Sequence, residues 1–295
     1  MSWSLVENSY GKSRVRLTKV TRLADRHECK EVSVDIQLQG EFAKSYTDGD
    51  NSQVVPTDTM KNTVYAIASQ HPLDSIESFG KALVEHFVRE FAHVESASAT
   101  LHEDLWMRIP HGGKPHAHAF VGGSHEKRAA HVDLVRGGAG VVVESGIEDL
   151  VVMKTTASEF TGYIKDKWTT LQETRDRIFG TAVTATWTYK DDAGKVDYNS
   201  VYERVRATVL KVFCEHHSLA VQQTLYEMAK AALEGCAEIE EIRIEMPNQH
   251  RIPFDLSRLG LENKNEIFVT TDEPFGLISA TVARAGVPAK AGAGR

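Results

Sequence analysis

The sequence lacks the features that mark membrane-spanning, secreted and nucleic-acid-binding proteins. No stretch approaches the ~20 consecutive apolar residues that a membrane-spanning helix needs. Residues 1–8 lack the basic start and the apolar run of a secretion signal. The formal net charge is −7, so no basic excess indicates a nucleic-acid partner. We therefore expect no membrane span and no nucleic-acid partner.

Cysteine is also scarce. The three cysteines, Cys29, Cys214 and Cys236, are far apart and show no metal-binding spacing. An odd, unpatterned set is typical of a reducing compartment, which favours a cytoplasmic location. The 295 residues, 41% hydrophobic and 25% charged, otherwise describe an ordinary globular protein of one large or two medium domains.

Alternation and helical spacing are the clearest structural patterns in the chain. Residues 32–38 alternate between apolar and polar side chains, which predicts a strand with one buried face. Residues 76–91 carry apolar side chains every three or four positions. This spacing predicts an amphipathic helix, capped by Asp74 or Ser75.

The second half of the chain repeats the order of elements in the first half. The patterns predict a hairpin over residues 139–155 that turns at Ser145-Gly146, then helices over residues 200–216 and 218–235, the second capped by Ser218. Each half therefore has the order strand–strand, helix–helix, strand–strand. We predict an α+β fold in which antiparallel sheets carry paired helices on one face. The predicted domains are residues 1–135 and 136–295.

Residues 54–62, Val-Val-Pro-Thr-Asp-Thr-Met-Lys-Asn, join a strand-like segment to a helical one. Pro56 fixes its own φ and favours extended geometry at Val55. Thr57, Asp58 and Thr59 are residue types that begin helices. A helix start presents unpaired N–H groups and a positive dipole, which suits a bound anion. The spacing alone also fits an ordinary capped helix.

The same stretch resembles the signature of the urate oxidases, or uricases. Further stretches stand in that family's order: Tyr10-Gly11-Lys12, Asp176-Arg177-Ile178-Phe179, Val221-Gln222 and Met246-Pro247-Asn248-Gln249-His250. From Tyr10 to Arg284 the chain is therefore similar to urate oxidases, and we assign it to their bacterial type. Many eukaryotic members end in a peroxisomal Ser-Lys-Leu-type tail, whereas this chain ends Ala-Gly-Ala-Gly-Arg, which again predicts a cytoplasmic location.

The resemblance implies a fold of tandem tunnelling-fold (T-fold) domains. In the family, two subunits join their sheets into a barrel, and two barrels stack as a homotetramer. Barrel closure by oligomerisation removes the exposed edge strands that a lone subunit would present.

The resemblance also implies the reaction, in which urate, dioxygen and water become 5-hydroxyisourate and hydrogen peroxide. Removing a proton from the urate monoanion gives a dianion that transfers an electron to dioxygen far more readily. An electron-rich enough substrate can dispense with both flavin and metal, and the resemblance implies that route, so we expect no cofactor and no metal.

A flat purine anion needs an aromatic face, a bidentate cation and amides that bind its edge. By the resemblance, Phe160 stacks on the purine and Arg177 grips a carbonyl and a nitrogen. The N–H groups of Val221 and Asp58 and the side chain of Gln222 bind further edges. Without the family, Phe160 fits the core, Gln222 a solvated helix face, and Arg177 a surface ion pair.

Lys12, Thr57 and His250 form the implied proton relay. Lysine must be desolvated or lie near another cation to act as a base, and histidine titrates near neutral pH. Thr57 both donates and accepts a proton, and it also contacts the substrate. Asn248 is implied to hold dioxygen or water above the ring, although after Pro247 it also fits a turn. In the family, the Lys and Thr come from one subunit and the purine-gripping residues from its neighbour.

Histidines raise an alternative function. Eight of the 13 lie between His86 and His131, and His116 and His118 point the same way if they lie on a strand. Such a pair could ligate a metal, whereas the turn-rich residues nearby also fit a solvated loop. Because other T-fold enzymes include metal-dependent hydrolases of purine-like or pterin rings, such a hydrolase is the second hypothesis. A non-catalytic ligand-binding barrel is the third.

Overall fold

The computed structural model describes residues 3–190 and 195–287 of the chain. The Ala-Gly-Ala-Gly-Arg end, on which part of the cytoplasmic prediction rests, lies outside these residues. The chain divides into two compact units, unit 1 (Met1–Gly146) and unit 2 (Ile147–Arg295). The domain boundary predicted between residues 135 and 136 stays a prediction. No helix in the described ranges has the length and apolar character that crossing a bilayer requires.

Unit 1 is an antiparallel sheet with helices packed on it. Its elements are β1 (Tyr10–Arg22), β2 (His27–Gly40), α1 (Ala43–Thr47), α2 (Thr57–Gln70), α3 (Ile76–Glu90), β3 (Val94–His111) and β4 (Lys114–Val135). The strands pair antiparallel in the order β1-β2-β3-β4. Helix α2 contacts β1, and α3 contacts β3 and β4. Strand β5 (Val141–Lys154) begins in unit 1 and continues into unit 2.

Unit 2 repeats this arrangement. After β5 come β6 (Phe179–Tyr189), α4 (Tyr198–Glu215), α5 (Val221–Gly235), β7 (Ile239–Pro253), a 3-10 turn at Ser257–Leu259 and β8 (Phe268–Ala283). Strands β6, β7 and β8 pair antiparallel in that order, and α5 packs on β7 and β8.

The alternating and helical patterns are confirmed where they were strongest. Every second residue of β2 from Val32 to Leu38 is fully buried, because that face of the sheet meets the helices. Helix α3 begins as expected, since the Ser75 hydroxyl accepts a hydrogen bond from the Ser78 N–H at 3.2 Å. The predicted α+β order of strand pairs and helix pairs is present in both units.

Two local predictions are wrong. Ser145 and Gly146 form no turn, because both are buried inside the continuous strand β5. The Ser145 hydroxyl donates to Glu77 Oε1 at 2.7 Å, so the strand can bury this polar side chain. Ser218 does not cap α5, because the N-cap is Ala220 and the Ser218 hydroxyl donates to the Ala220 carbonyl at 3.1 Å.

In each unit, one arginine, called here the closing arginine, joins the end of the second helix of the pair to the start of the next strand. In unit 1, the Arg136 guanidinium donates to the carbonyls of Val88, Phe91 and Val94, at the end of α3 and the start of β3. In unit 2, the Arg284 guanidinium donates to the carbonyls of Leu233, Cys236 and Ile239, at the end of α5 and the start of β7. Each acceptor in unit 2 lies 145 residues after its counterpart in unit 1.

The same offset holds for the paired helices. Helix α3 and helix α5 begin at Ile76 and Val221 and end at Glu90 and Gly235. The first helices of the pairs, α2 and α4, end 145 residues apart with a histidine as C-cap in each case. The two units are therefore copies of one structural repeat, as the repeated order of elements in the sequence predicted.

Candidate functional site

In unit 1, the Tyr10-Gly11-Lys12 motif lies at the start of β1, and tyrosine fastens it to the segment before α2. The Tyr10 hydroxyl accepts a hydrogen bond from the Val55 N–H at 2.7 Å and donates to the Val55 carbonyl at 3.2 Å. Burial raises the pKa of Tyr10, which keeps the hydroxyl protonated and able to donate. The motif and residues 54–62 are therefore held side by side.

Glycine is required at position 11 because β2 approaches it closely. A Cβ on Gly11 would lie 1.8 Å from the Ile36 carbonyl oxygen, far inside any tolerable contact. Lys12 follows directly and stands opposite Ile36, and the β1–β2 register shifts immediately after it. A β-bulge of this kind re-aims a side chain at a strand edge.

Lys12 lies close to the start of α2. The hydrogen bond from Lys61 at 2.5 Å lowers the pKa of Asp58, and the positive charge of Lys12 contributes more weakly in the same direction. Asn62 also donates to Asp58 at 3.0 Å. The Asp58 carboxylate is thus occupied within its own helix, which leaves its backbone N–H as the group available to a ligand.

Helix α2 begins at Thr57, as the residue types predicted, but no side chain caps it. Pro56 is the N-cap with ψ of 137°, and its carbonyl accepts from the Met60 N–H at 3.1 Å. The backbone N–H groups of Thr57 and Asp58 precede the first intrahelical bond and point out of the helix end. Half-buried Thr57 therefore presents a hydroxyl and an N–H at a positive helix end.

In unit 2, the segment between β5 and β6 carries Phe160 and Arg177. It is closed on itself by a pair of hydrogen bonds between the backbones of Phe160 and Thr174, at 2.8 and 3.2 Å. The Tyr163 ring stacks on Phe160, with centroids 4.9 Å apart and planes 14° apart. The Tyr163 hydroxyl donates to the Leu171 carbonyl at 2.7 Å, which fixes this support.

Arg177 lies over the aromatic ring. Its Cζ is 5.4 Å from the Phe160 centroid, within the range of a cation–π contact. Burial lowers the pKa of Arg177, and its Nε has no hydrogen-bond partner among the described residues. The ion pair with Asp176 or Glu173 that the sequence also allowed is not among its contacts, since Asp176 accepts from Thr156 and Glu173 pairs with Lys165. A half-buried, partly desolvated guanidinium is suited to a bidentate anionic ligand.

The start of α5 is tied to the same segment. Ser158 and Ser218 form a parallel bridge, the Glu159 N–H donates to the Ser218 carbonyl at 2.8 Å, and the Arg177 N–H donates to the Ser158 carbonyl at 2.9 Å. These bonds hold the Phe160 and Arg177 segment beside the first turn of α5. Val221 is buried and Gln222 is exposed on that turn, and both precede Thr224, whose N–H makes the first intrahelical hydrogen bond, to the Ala220 carbonyl at 3.2 Å.

Asn248 and His250 lie on β7. Asn248 stands between Thr181 of β6 and Gly276 of β8, and the β7–β8 register shifts between Asn248 and His250. Both side chains are half-buried. Asn248 therefore belongs to a strand position rather than to the turn that Pro247 suggested.

A family model described as uricase matches residues 8–133 and 143–279. The chain belongs to the uricase family. It is 45% identical to the uricase of Arthrobacter globiformis over 282 residues, which covers 96% of this chain and 90% of that protein. It is 40% identical to the uricase of Dictyostelium discoideum over 284 residues, covering 95% and 98% of the two chains.

Solved structures agree with the family. The crystal structure of uricase from Arthrobacter globiformis matches with a TM-score of 0.92 at 44% identity, covering 98% of each chain. The urate oxidase of Bacillus sp. TB-90 matches with a TM-score of 0.81 at 25% identity, covering 94% of this chain and 100% of that one. The predicted fold class, the tunnelling fold of the uricases, is confirmed for this member.

The histidine cluster of this uricase-family chain forms no metal centre in residues 3–190 and 195–287, where no group of three or more His, Cys, Asp or Glu is placed to hold an ion. The His116 and His118 rings lie 4.6 Å apart. His116 Nδ1 accepts from the backbone N–H groups of His118 and Ala119, at 3.3 and 3.0 Å, and is used within its own strand. The uricase family match, rather than these contacts, decides against the metal-dependent hydrolase.

The predicted residues fall into two groups by unit. Lys12, Thr57 and Asp58 form the unit 1 group, and the unit 2 group contains Phe160, Arg177, Val221, Gln222, Asn248 and His250. Within unit 2 the backbone bonds hold the Phe160 and Arg177 segment beside Val221 and Gln222, whereas Asn248 and His250 lie on β7. That all of them form one site stays a prediction. Sequence reasoning missed the supports of the unit 2 group, which are Tyr163 and the Ser158–Ser218 bridge. The spacing of Phe160 and Tyr163, three residues apart, could have predicted their ring contact. The bridge between Ser158 and Ser218, 60 residues apart, has no corresponding pattern in the sequence.

Proposed function

We propose that this uricase-family chain oxidises urate with dioxygen and water to 5-hydroxyisourate and hydrogen peroxide. The observation that carries the proposal is the Arg177–Phe160 pair, an aromatic ring with a partly desolvated guanidinium 5.4 Å from its centroid. A flat anion with carbonyl groups at its edge satisfies both groups together. The family match supports urate as that anion.

Edge recognition falls to the two helix starts. In this proposal the Val221 N–H and the Gln222 side chain bind one edge, and the Thr57 and Asp58 N–H groups bind another. A negative charge at a helix start is stabilised by the helix dipole as well as by hydrogen bonds. Asn248 holds dioxygen or water above the ring.

Lys12, Thr57 and His250 move the proton. The charge of Lys12 is the weakest of the influences that lower the Asp58 pKa, which supports a position for Lys12 near the start of α2. Thr57 then passes a proton between lysine and substrate or water, and His250 completes the relay. Loss of the proton makes the purine electron-rich enough to reduce dioxygen, so the reaction needs no flavin and no metal.

The active site is shared between subunits of a homotetramer in this proposal, and the protein works in the cytoplasm. The resemblance to urate oxidases supports sharing, since in that family the Lys and Thr come from one subunit and the purine-gripping residues from its neighbour. In this chain Lys12 and Thr57 belong to unit 1, whereas Phe160 and Arg177 belong to unit 2. Strand β8 exposes Val269, Phe275 and Leu277 on a long outer strand of the unit 2 sheet. An apolar edge of this length is a liability unless another chain covers it, which barrel closure achieves.

The test is urate consumption by chelator-treated protein. We expect loss of urate's ultraviolet absorbance with one hydrogen peroxide formed per urate, and no change when metal or flavin is added back. Thr57→Ala serves as the control for contaminating activity, because it keeps the purine clamp and loses the relay. If the treated protein leaves urate intact, the function is wrong. Activity that returns only with iron, copper or flavin refutes the cofactor-free mechanism.

Mixing two inactive variants tests the shared site. Lys12→Met and Arg177→Met protein, dissociated and reassembled together, should regain part of the activity, because some sites then combine an intact Lys12 with an intact Arg177. Each variant reassembled alone is the control. No recovery in confirmed mixed oligomers contradicts sharing.

A further inference from the structure

Because the two units are structural repeats, residues of the unit 2 group have counterparts at equivalent positions in unit 1. Helix α5 and β7 follow α3 and β3 by 145 residues, so Gln222 has Glu77 as its counterpart in unit 1. By the same offset, the counterpart of Asn248 is Glu103. The strand pairings agree, because Glu103 stands opposite Arg128 just as Asn248 stands opposite Gly276.

In unit 1 these positions are filled by the protein's own side chains. Arg128 Nη2 donates to Glu77 Oε2 at 2.7 Å, and its Nε donates to Oε1 at 3.3 Å. Both side chains are almost fully buried, at 5% and 0% exposure. The Ser145 hydroxyl donates to Glu77 as well, and Glu103 pairs with Lys30 at 3.2 Å. The Glu77 carboxylate and the Arg128 guanidinium thus fill the space between the start of α3 and strand β4 in unit 1.

In unit 2 the corresponding end is open. Gly276 has no side chain where Arg128 extends, and a Cβ built on it would meet Ile278 Cδ1 at 3.7 Å, an ordinary contact. Gln222 is exposed where Glu77 is buried. Two positions therefore separate the repeat filled by the Glu77–Arg128 ion pair from the repeat in which Gln222 is exposed and Gly276 has no side chain.

We infer that Gly276 keeps the purine site open, and that the Glu77–Arg128 ion pair occupies the equivalent site in unit 1. The inference rests on the proposed function, because it takes the unit 2 group to be the site of the purine. Gly276 acts by leaving space beside Asn248 and Gln222, and touches no reacting atom through a side chain. Each chain consequently supplies residues for one purine site, with no second site in unit 1.

A graded series at position 276 tests the space. We expect Gly276→Ala to change xanthine affinity by less than about 3-fold, Gly276→Val to weaken it by about 10-fold, and Gly276→Arg by at least about 100-fold, because each larger side chain fills more of the site. Xanthine is an unreactive purine anion, so its binding reports the site apart from turnover. Ser279→Arg is the matched control, since it adds the same side chain on the opposite face of β8, across from Glu245.

A double-mutant cycle tests the equivalence of the two repeats. Gln222→Glu with Gly276→Arg transplants the unit 1 pair into unit 2, so the double variant should unfold at a higher temperature than the two single effects predict. Neighbouring, interacting positions couple in such cycles, whereas independent positions add. Additive effects would overturn the equivalence of the repeats.

The outcomes separate this inference from the proposed function. If wild-type protein neither oxidises urate nor binds xanthine, the proposed function fails. If wild-type protein is active and Gly276→Arg binds xanthine normally, only the inference fails. A flat dependence on side-chain size also overturns it, and so does a titration that finds two xanthine sites per chain. Circular dichroism and oligomer size verify that each variant is folded.

Discussion

Replacing Arg177 should weaken purine binding without weakening the unliganded protein. The guanidinium is half-buried, has one nitrogen without a protein partner among the described residues, and has a pKa lowered by burial. Its charge is therefore poorly compensated until an anion arrives. Truncating one partner of a buried ion pair within a protein destabilises the folded state. A loss of purine affinity without a loss of stability in the unliganded protein is therefore what distinguishes a ligand-binding arginine from a structural one.

The size of the binding loss follows from the number of hydrogen bonds removed. A hydrogen bond to a charged group contributes about 1.5–3 kcal/mol, so Arg177→Lys, which keeps one of two donors, should weaken xanthine binding about 10- to 150-fold. Arg177→Met removes both donors and should weaken it beyond that range. Lysine cannot present two fixed parallel donors, which is why the charge alone does not restore affinity.

The stability of unliganded protein should change little. Arg177→Met removes a desolvated charge, which is favourable, and a cation–π contact with Phe160 of about 0.5–1 kcal/mol, which is not. These opposing effects should leave the free energy of unfolding within about 1 kcal/mol of wild type or above it.

Thermal unfolding with and without xanthine measures both effects in one assay. Wild type should be stabilised by saturating xanthine, and Arg177→Met should not, because stabilisation follows the affinity for the folded state. Arg175→Met is the matched control, since Arg175 is an exposed arginine of the same segment. Unchanged xanthine affinity in Arg177→Lys would refute the proposal that Arg177 binds the purine through two parallel donors. Marked destabilisation of unliganded Arg177→Met would refute the idea that the Arg177 charge is poorly compensated in the unliganded protein.

Three further predictions concern unit 1. Gly11→Ala should destabilise the protein by on the order of 3 kcal/mol and reduce activity, because its Cβ meets a carbonyl at 1.8 Å, whereas Gly122→Ala, with 4.0 Å of clearance, should be near neutral in thermal unfolding. Burial lowers the pKa of His71 in the folded protein, so as the pH drops below the ordinary value of 6.5 the unfolded chain binds a proton more readily than the folded one. The free energy of unfolding should therefore fall with pH in this range. A His71→Asn variant whose free energy of unfolding falls just as steeply with pH would contradict this. Lys12→Met and Thr57→Ala should each lower urate turnover by about 100-fold or more while leaving xanthine affinity within a few fold, and normal turnover in either variant rules out the relay.

Period and spacing predicted the fold well where one face of an element is buried. The alternation in β2 and the three-to-four spacing in α3 follow directly from which side chains the core accepts. Prediction failed where a distant partner changed the local outcome. Ser145-Gly146 has the composition of a turn, but Glu77, 68 residues away in the chain, accepts its hydroxyl hydrogen bond and lets the strand continue.

The candidate site was predictable as a set of residues and not as a geometry. Family motifs marked Lys12, Thr57 and Arg177 as candidates, and their roles stay predictions. Spacing could not reveal that Arg177 lies near Phe160, since their approach depends on the backbone hydrogen bonds between Phe160 and Thr174 and on the bond from the Arg177 N–H to the Ser158 carbonyl. Nor could it reveal why position 276 is glycine, because the reason is visible only beside the other repeat.

The closing arginines explain how the two repeats could diverge so far in sequence while keeping one geometry. Arg136 and Arg284 hold main-chain carbonyls, which every residue type supplies. Substitutions along the joints between the second helix and the next strand therefore leave the joint unchanged, provided each arginine stays. The side chains between the joints can therefore differ from one unit to the other, as Glu77 and Arg128 differ from Gln222 and Gly276, without a change in the backbone that carries them.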